Sequence, residues 1–199
     1  MYVLCSDLES VLLPELWVEI AEETKIKDLK LTTRDIADMD MLMQKRISAL
    51  RENKVRFKDL QEIISKSEPL EGAVDFLRWA REKLPVVILS DAFWEFVSPI
   101  AYKMEYPTVF CNSLEIDDEG FISGYKLRKD GKRRTTEAFQ QIGMKVIAMG
   151  DSYNDVRMIQ RAEKGVFFNA SEKIKADFPD FHAISDYEKL KDIISETVK

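Results

Sequence analysis

The 199-residue sequence predicts an α/β fold: a doubly wound, mostly parallel sheet with an inserted helical cap and a small β-hairpin flap. Three observations lead there. Short, near-continuous apolar runs rich in Val, Ile and Leu recur along the chain, as strands covered on both faces require. Helical patterns separate most of these runs. After the first run comes a long stretch with helical periodicity and no convincing strand.

Taken in order, Tyr2–Ser6 reads as the first strand. Pro14 is well placed to open a helix, and residues 14–69 read as the helical cap. Within Thr33–Asn53, Ile36, Met39, Met43, Ile47 and Leu50 follow a helical stripe. The catalytic core then comprises residues 1–13 and 70–199. It contains a helix over Glu71–Leu84, strands at Val86–Leu89 and Thr108–Cys111, and two alternating stretches between Ser113 and Arg128. The intervening Asp117-Asp118-Glu119-Gly120 is hairpin chemistry, with glycine supplying a positive φ. A strand at Val146–Met149, a helix over Tyr153–Ala162 and a strand at Gly165–Phe168 follow. Asp186–Val198 reads as a last helix with Leu190, Ile193 and Ile194 on one face.

Composition narrows the classes of function. With 45% hydrophobic and 33% charged residues the chain can bury a core without disulfides and is not disordered. Runs such as Val86-Val87-Ile88-Leu89 are far too short to span a bilayer. Acids at Asp7 and Glu9 argue against a signal peptide, so the expected location is the cytosol. Cys5 and Cys111 read as buried, reduced thiols, and with His182 as the one histidine there is little material for a zinc site or a Ser-His-Asp triad. A net charge of −6 gives no footprint for nucleic acid, and the basic cluster Lys126–Arg134 is short and interrupted. The expected partners are small molecules, with no nucleic acid and no membrane.

Three strands end in polar residues of the same kind. Tyr2–Ser6 runs into Asp7, Val86–Leu89 into Ser90 and Asp91, and Val146–Met149 into Gly150-Asp151. Ligands of open parallel sheets bind beyond the carboxyl ends of the strands, so these residues are expected to converge. Their types suit phosphoryl transfer to the Asp7 carboxylate. An anion attacking a dianion at about 4 Å meets repulsion on the order of 8 kcal/mol at an effective dielectric near 20, so a cation must cancel it. Mg²⁺ fits, with oxygen ligands from Asp7, the Glu9 main-chain carbonyl and Asp151. Lys132 is placed to hold Asp7 and a phosphate oxygen, with Ser90 and the amides after it receiving others. Glu9 would be general acid and then general base. Asn154 and Asp155 follow Asp151 at a helix start, where Asp155 would brace the metal shell. In the cap, Arg46 borders an apolar helix face and could fork onto a carboxylate or snorkel to solvent, and Glu15 could hold an ammonium group or favour the helix dipole.

Asp7-Leu8-Glu9-Ser10-Val11, Leu89-Ser90-Asp91, a lysine near 132 and Gly150-Asp151-Ser152-Tyr153-Asn154-Asp155 together resemble the haloacid dehalogenase superfamily of phosphohydrolases. Thr33-Arg34-Asp35-Ile36, Pro69-Leu70-Glu71-Gly72-Ala73-Val74, Val87-Ile88-Leu89-Ser90-Asp91 and Leu114-Glu115-Ile116-Asp117-Asp118 extend the likeness to its phosphoserine phosphatase branch, including phosphoserine:homoserine phosphotransferases. The resemblance implies an aspartyl-phosphate mechanism, Mg²⁺, phospho-L-serine as donor, and water or L-homoserine as acceptor. It makes Asp7 the nucleophile and Glu9 the acid/base, with Glu15 and Arg46 reading ammonium and carboxylate, and Ser90, Asp91, Lys132 and Asn154 around phosphate and substrate. Lys129 and Arg133 lie close enough to exchange roles with Lys132. Glu9 stands where most such phosphatases have Asp, which agrees with the phosphotransferase branch.

Other readings fit less well. A phospho-signalling receiver needs no cap and should be shorter. A dinucleotide-binding enzyme lacks its fingerprint, since no Gly-x-Gly occurs. A phosphatase of the same superfamily acting on another small phosphomonoester would lack a use for the Glu15–Arg46 pair.

Overall fold

The computed structural model describes every residue except Thr33, Arg34 and Ala37, so the Thr33-Arg34 part of one family-like stretch lies outside the described residues. The chain begins with β1 (Tyr2–Ser6), followed by α1 (Leu16–Thr24), a 3-10 turn at Lys27–Lys30, α2 (Met39–Glu52), α3 (Phe57–Ile64) and α4 (Ala73–Lys83). Next come β2 (Val86–Phe93), the short α5 (Trp94–Val97), a 3-10 segment Ser98–Met104, and the hairpin of β3 (Thr108–Ile116) and β4 (Ile122–Lys126). The remainder runs α6 (Gly131–Gln141), β5 (Lys145–Gly150), a 3-10 turn Tyr153–Asp155, α7 (Val156–Arg161), β6 (Lys164–Phe168), α8 (Glu172–Asp177), β7 (His182–Ile184) and α9 (Tyr187–Val198).

The seven strands form one sheet in the order β4-β3-β2-β1-β5-β6-β7, antiparallel at the β3–β4 pair and parallel elsewhere. From β1 the chain winds outward through β2 and β3, then returns to β5 on the other side of β1. The order therefore reverses at β1, which is the switch point where open α/β sheets leave a crevice.

Alternation along the strands feeds two cores. Leu4, Ile88, Ile147, Met149 and Phe168 join one cluster with residues of α1, α4 and α9. Val3, Cys5, Val87, Leu89, Ala148 and Phe167 join the other, with Met158, Ile159 and Ile174 from α7 and α8. A strand with both faces buried has no polar face to show, which is why these runs read as continuous apolarity.

Several expectations are corrected by local chemistry. Ile36 lies outside the helical stripe assigned to it, because the Asp38 side chain accepts from the Met41 N–H and starts α2 there. Pro14 precedes the Glu15 N-cap of α1 rather than occupying its first turn. The helix expected over Tyr153–Ala162 divides into the 3-10 turn and α7. The β-hairpin is present, and Gly120 at φ +83° makes its turn while its carbonyl accepts from the Phe57 N–H of α3. No helix among the described residues is long and apolar enough to cross a membrane.

Candidate active site

A cleft lies beyond the carboxyl ends of β1, β2 and β5. Asp7, Glu9, Glu15, Arg46, Asp91, Lys132, Asp151 and Asn154 all line it, together with Ser10, Trp17, Thr32, Met39, Leu42, Ala92, Ser152 and Tyr153. Its volume of about 170 Å³ lies below the roughly 300–1,000 Å³ usual for drug-sized ligands, so it suits a small metabolite. Eight of the nine residues expected at the site are thus brought together. Ser90 is the exception: it is buried, its hydroxyl accepts from the Ala92 N–H at 3.0 Å, and it is not among the lining residues.

Asp7 is placed by the sheet. Its N–H donates to the Met149 carbonyl at the end of β5, which carries the carboxylate across the switch point. The Asp7 Oδ1 accepts from the Leu8 N–H at 2.7 Å and lies 2.8 Å from Lys132 Nζ. Lys132 projects from the first turn of α6 and is only 7% exposed at its side chain. It also reaches Asp155 Oδ1 at 2.6 Å and lies 3.9 Å from Asp91 Oδ2. Burial works against the charge on Lys132, but Asp155, Asp7 and Asp91 outweigh it and hold its pKa well above the ordinary lysine value. Of the neighbours close enough to exchange roles with it, Arg133 pairs with Asp130 and Glu137, and Lys129 lines an adjoining depression that Lys132, Asp91 and Asn154 also line.

Asp155 is fully buried and saturated. Its Oδ2 accepts from the Asp151 N–H, the Ser152 N–H and the Ser152 hydroxyl at 3.0–3.1 Å, while its Oδ1 takes Lys132. Asp7, Asp151 and Asp155 each offer an oxygen, with all three oxygens within 4.8 Å of one another. Burial and the charge of Asp155 raise the Asp7 pKa strongly, with Lys132 opposing. One lysine does not balance three buried carboxylates, and an all-oxygen donor set suits a hard divalent cation such as Mg²⁺.

Glu9 Oε1 accepts from the Leu16 N–H at 2.8 Å, anchoring the carboxyl group at the N-terminus of α1. Burial pushes its pKa up to about 7; Leu16 opposes this, Glu15 adds to it, and Arg46 and Lys132 oppose it more weakly. The helical insertion supplies the other wall. Arg46 is 4% exposed, its guanidinium lies 4.4 Å from the Trp17 ring centroid, and it donates to the Leu31 carbonyl at 2.6 Å. Its Nε–H is buried with no hydrogen-bond partner. Burial lowers the Arg46 pKa to about 10 against the pull of Glu9 and Glu15, so the group stays charged at neutral pH. The snorkelling alternative is excluded by this burial.

Sequence reasoning missed Trp17, Met39 and Leu42 as lining residues. Met39 and Leu42 share the helical face that carries Arg46, and Trp17 follows Glu15 by two residues, so the signal was present but indistinguishable from core patterning.

The family model for hydrolases described as haloacid dehalogenase-like matches residues 11–163. A protein named phosphoserine phosphatase ThrH from Pseudomonas aeruginosa is 48% identical over 192 residues, covering 96% of this chain and 94% of that protein. A phosphoserine phosphatase from Pseudomonas syringae pv. tomato is 44% identical over 190 residues, covering 95% of this chain and 80% of its own length. Among solved structures, an apo phosphoserine phosphatase superposes with a TM-score of 0.76 at 24% identity, covering 96% of this chain and 98% of that one, a likeness of fold.

Proposed function

The chain belongs to the haloacid dehalogenase-like hydrolases, and from that premise we propose that it transfers the phosphoryl group of phospho-L-serine, through an aspartyl phosphate on Asp7, to water or L-homoserine. The observation that carries this reading is the shared cleft. A buried carboxylate–lysine pair at one end faces, at the other, a buried arginine whose Nε–H still lacks an acceptor. We take residues 14–69 as a cap over a core of residues 1–13 and 70–199.

In this mechanism Arg46 forks onto the substrate carboxylate and Glu15 meets the ammonium group, which fixes the phosphorus above Asp7. The Lys132 and Leu8 bonds both fall on Oδ1, so Oδ2 is the attacking oxygen. It forms a bond to phosphorus as the bond from phosphorus to the serine oxygen breaks, and Glu9 gives its proton to that oxygen. Glu9 then takes a proton from water or the homoserine hydroxyl, whose oxygen attacks phosphorus and releases Asp7. Lys132, Asn154 and the Asp91 N–H hold the phosphoryl oxygens, while the Asp91 carboxylate stands beside Lys132. A Mg²⁺ held by Asp7, Asp151 and the Glu9 main-chain carbonyl would offset the anion–anion repulsion when bound, with Asp155 bracing that shell. The buried free thiols of Cys5 and half-buried Cys111 agree with a cytosolic location.

Support comes from the names of the two relatives, which agree on phosphoserine, and, for the homoserine acceptor, from the resemblance of Glu9 to the phosphotransferase branch. The test supplies phospho-L-serine and Mg²⁺ with and without L-homoserine and measures phosphohomoserine against inorganic phosphate. Both products are expected, and Asp7→Asn should abolish both. Release of neither product by the wild-type protein overturns the substrate assignment, and turnover by Asp7→Asn overturns the nucleophile assignment.

A further inference from the structure

We infer that Asn112 is a positioning residue for phosphate recognition, a side-chain clamp that sets the distance between the loop after Ser90 and the helix that carries Lys132. The inference rests on the proposed phosphoryl chemistry and adds to it a residue that touches no substrate.

The need for a clamp originates in β2. Its ladder with β3 pairs Leu89 with Phe110 and then Phe93 with Asn112, so three residues of β2, Ser90 to Ala92, stand opposite one residue of β3. Over those three residues the regular ladder is interrupted, and Asp91 and Ala92 come to line the cleft while the Ala92 N–H turns back to the Ser90 hydroxyl. The interruption leaves the Asp91 carbonyl needing a donor. Asn112, 4% exposed, supplies it: its Nδ2 donates to the Asp91 carbonyl at 2.8 Å.

The other end of the same side chain is also committed. Asn112 Oδ1 accepts from the Arg128 N–H at 2.8 Å, four residues before Lys132. Arg128 is itself held in place, donating to Thr135 Oγ1 at 2.7 Å and lying over the Phe110 ring. The turn into α6 packs directly on it: a Cβ added at Gly131 would come within 3.0 Å of Arg128 Cβ. Movement of the backbone at 128 is therefore passed through Gly131 to Lys132, whose Nζ lies 2.8 Å from Asp7.

The chemistry at the two ends selects the residue type. One end must donate to a carbonyl and the other must accept from an N–H, which a neutral carboxamide does and a carboxylate cannot. The same bonds fix the amide orientation, because the flipped form would set oxygen against oxygen and N–H against N–H. An aspartate would keep the bond to Arg128 and lose the one to Asp91, and an alanine would lose both.

The experiment is calorimetric titration, in the presence of Mg²⁺, of wild type, Asn112→Asp and Asn112→Ala with inorganic phosphate and separately with L-serine, which carries the ammonium and carboxylate groups but no phosphate. Both variants should weaken phosphate binding at least tenfold while L-serine binding stays within twofold of wild type. Leu190→Ala, on the far helix α9, serves as a control for lost stability and should leave the ratio of the two affinities unchanged. Equal loss of both affinities in the Asn112 variants, or loss of neither, overturns the clamp. A wild-type protein that binds phosphate through this clamp but does not turn over phosphoserine sinks only the substrate assignment. A wild-type protein that binds no phosphate sinks both.

Discussion

Gly150→Ala tests how the rim that carries the Asp7, Asp151 and Asp155 carboxylates is held. Gly150 closes β5, and its φ is not left-handed, so the demand for glycine comes from close approach rather than conformation. A Cβ there would lie 2.3 Å from Asp155 Cγ, 2.5 Å from its Cβ and 2.6 Å from its Oδ2. Restoring ordinary contact near 3.4 Å requires Asp155 to move by about 1 Å (3.4 − 2.3 = 1.1). Asp155 cannot yield freely, since it is fully buried and holds Lys132, Asp151, Ser152 N–H and the Ser152 hydroxyl. Overpacking costs about 1–3 kcal/mol, and weakening a hydrogen bond to a charged group costs about 1.5–3 kcal/mol. A combined loss of roughly 3–5 kcal/mol corresponds to a fall in Tm of about 6–20 °C for a chain of this size. Displacement of the site by that distance should lower turnover about 100-fold. Calorimetric melting and initial rates of phosphate release measure both effects. In an Asp155→Ala background the obstruction is gone, so Gly150→Ala should add little further loss of stability. A Gly150→Ala protein with wild-type Tm and rate, or one that loses as much stability without the Asp155 side chain as with it, refutes the reasoning.

Other outcomes follow from the same geometry. Lys132→Met leaves Asp7 and Asp155 buried without their cation, which should cost about 3–5 kcal/mol, and added Mg²⁺ should recover more of the variant's Tm than of the wild type's. Arg46→Ala should raise the KM for phosphoserine by roughly 10- to 150-fold, the equivalent of about 1.5–3 kcal/mol for a charged hydrogen bond; a phosphate ester without a carboxylate should be much less affected, and equal losses on both would remove the recognition role. Burial and then Glu95 push the Cys111 thiol up to about 11 against Arg128, and burial pushes Cys5 up to about 12. Because only the thiolate reacts, alkylation of the native protein at pH 8 should be at least about 100-fold slower than that of the unfolded chain, which mass spectrometry can follow.

What could be read from the sequence was set by how far each signal extends along the chain. The first six strands were visible except in their lengths: β2 and β3 run beyond the apolar stretches because their later residues belong to the interrupted ladder and the hairpin. The strand β7 escaped notice because its three residues lie at the sheet edge with His182 and Ala183 exposed, leaving no apolar run. Periodicity correctly placed Arg46 beside an apolar face, but it cannot show where a backbone leaves the helix, and so Ile36 was included wrongly. Ser90 is expected at the phosphate because its residue type and strand-end position fit; its hydroxyl accepts from the Ala92 N–H, which leaves its own O–H to donate. Asn112 gave no signal, since both of its partners are main-chain atoms at distant positions.

The two ends of the cleft are joined by residues that carry no charge. Trp17, beneath Arg46, meets the edge of Phe96 at 5.2 Å between ring centroids, and Phe96 meets Phe93 at 6.1 Å. Phe57 of α3 stacks on the same Phe96 ring at 6.2 Å, tying a second helix of the insertion to this chain of rings. Phe93 is where the β2 ladder resumes, opposite Asn112. The arginine that would read the amino acid and the loop that would hold phosphate are thus the two ends of one aromatic spacer anchored in the sheet. If Arg46 reads the substrate carboxylate as proposed, its seat 4.4 Å from the Trp17 ring centroid ties the position of that contact to the same spacer.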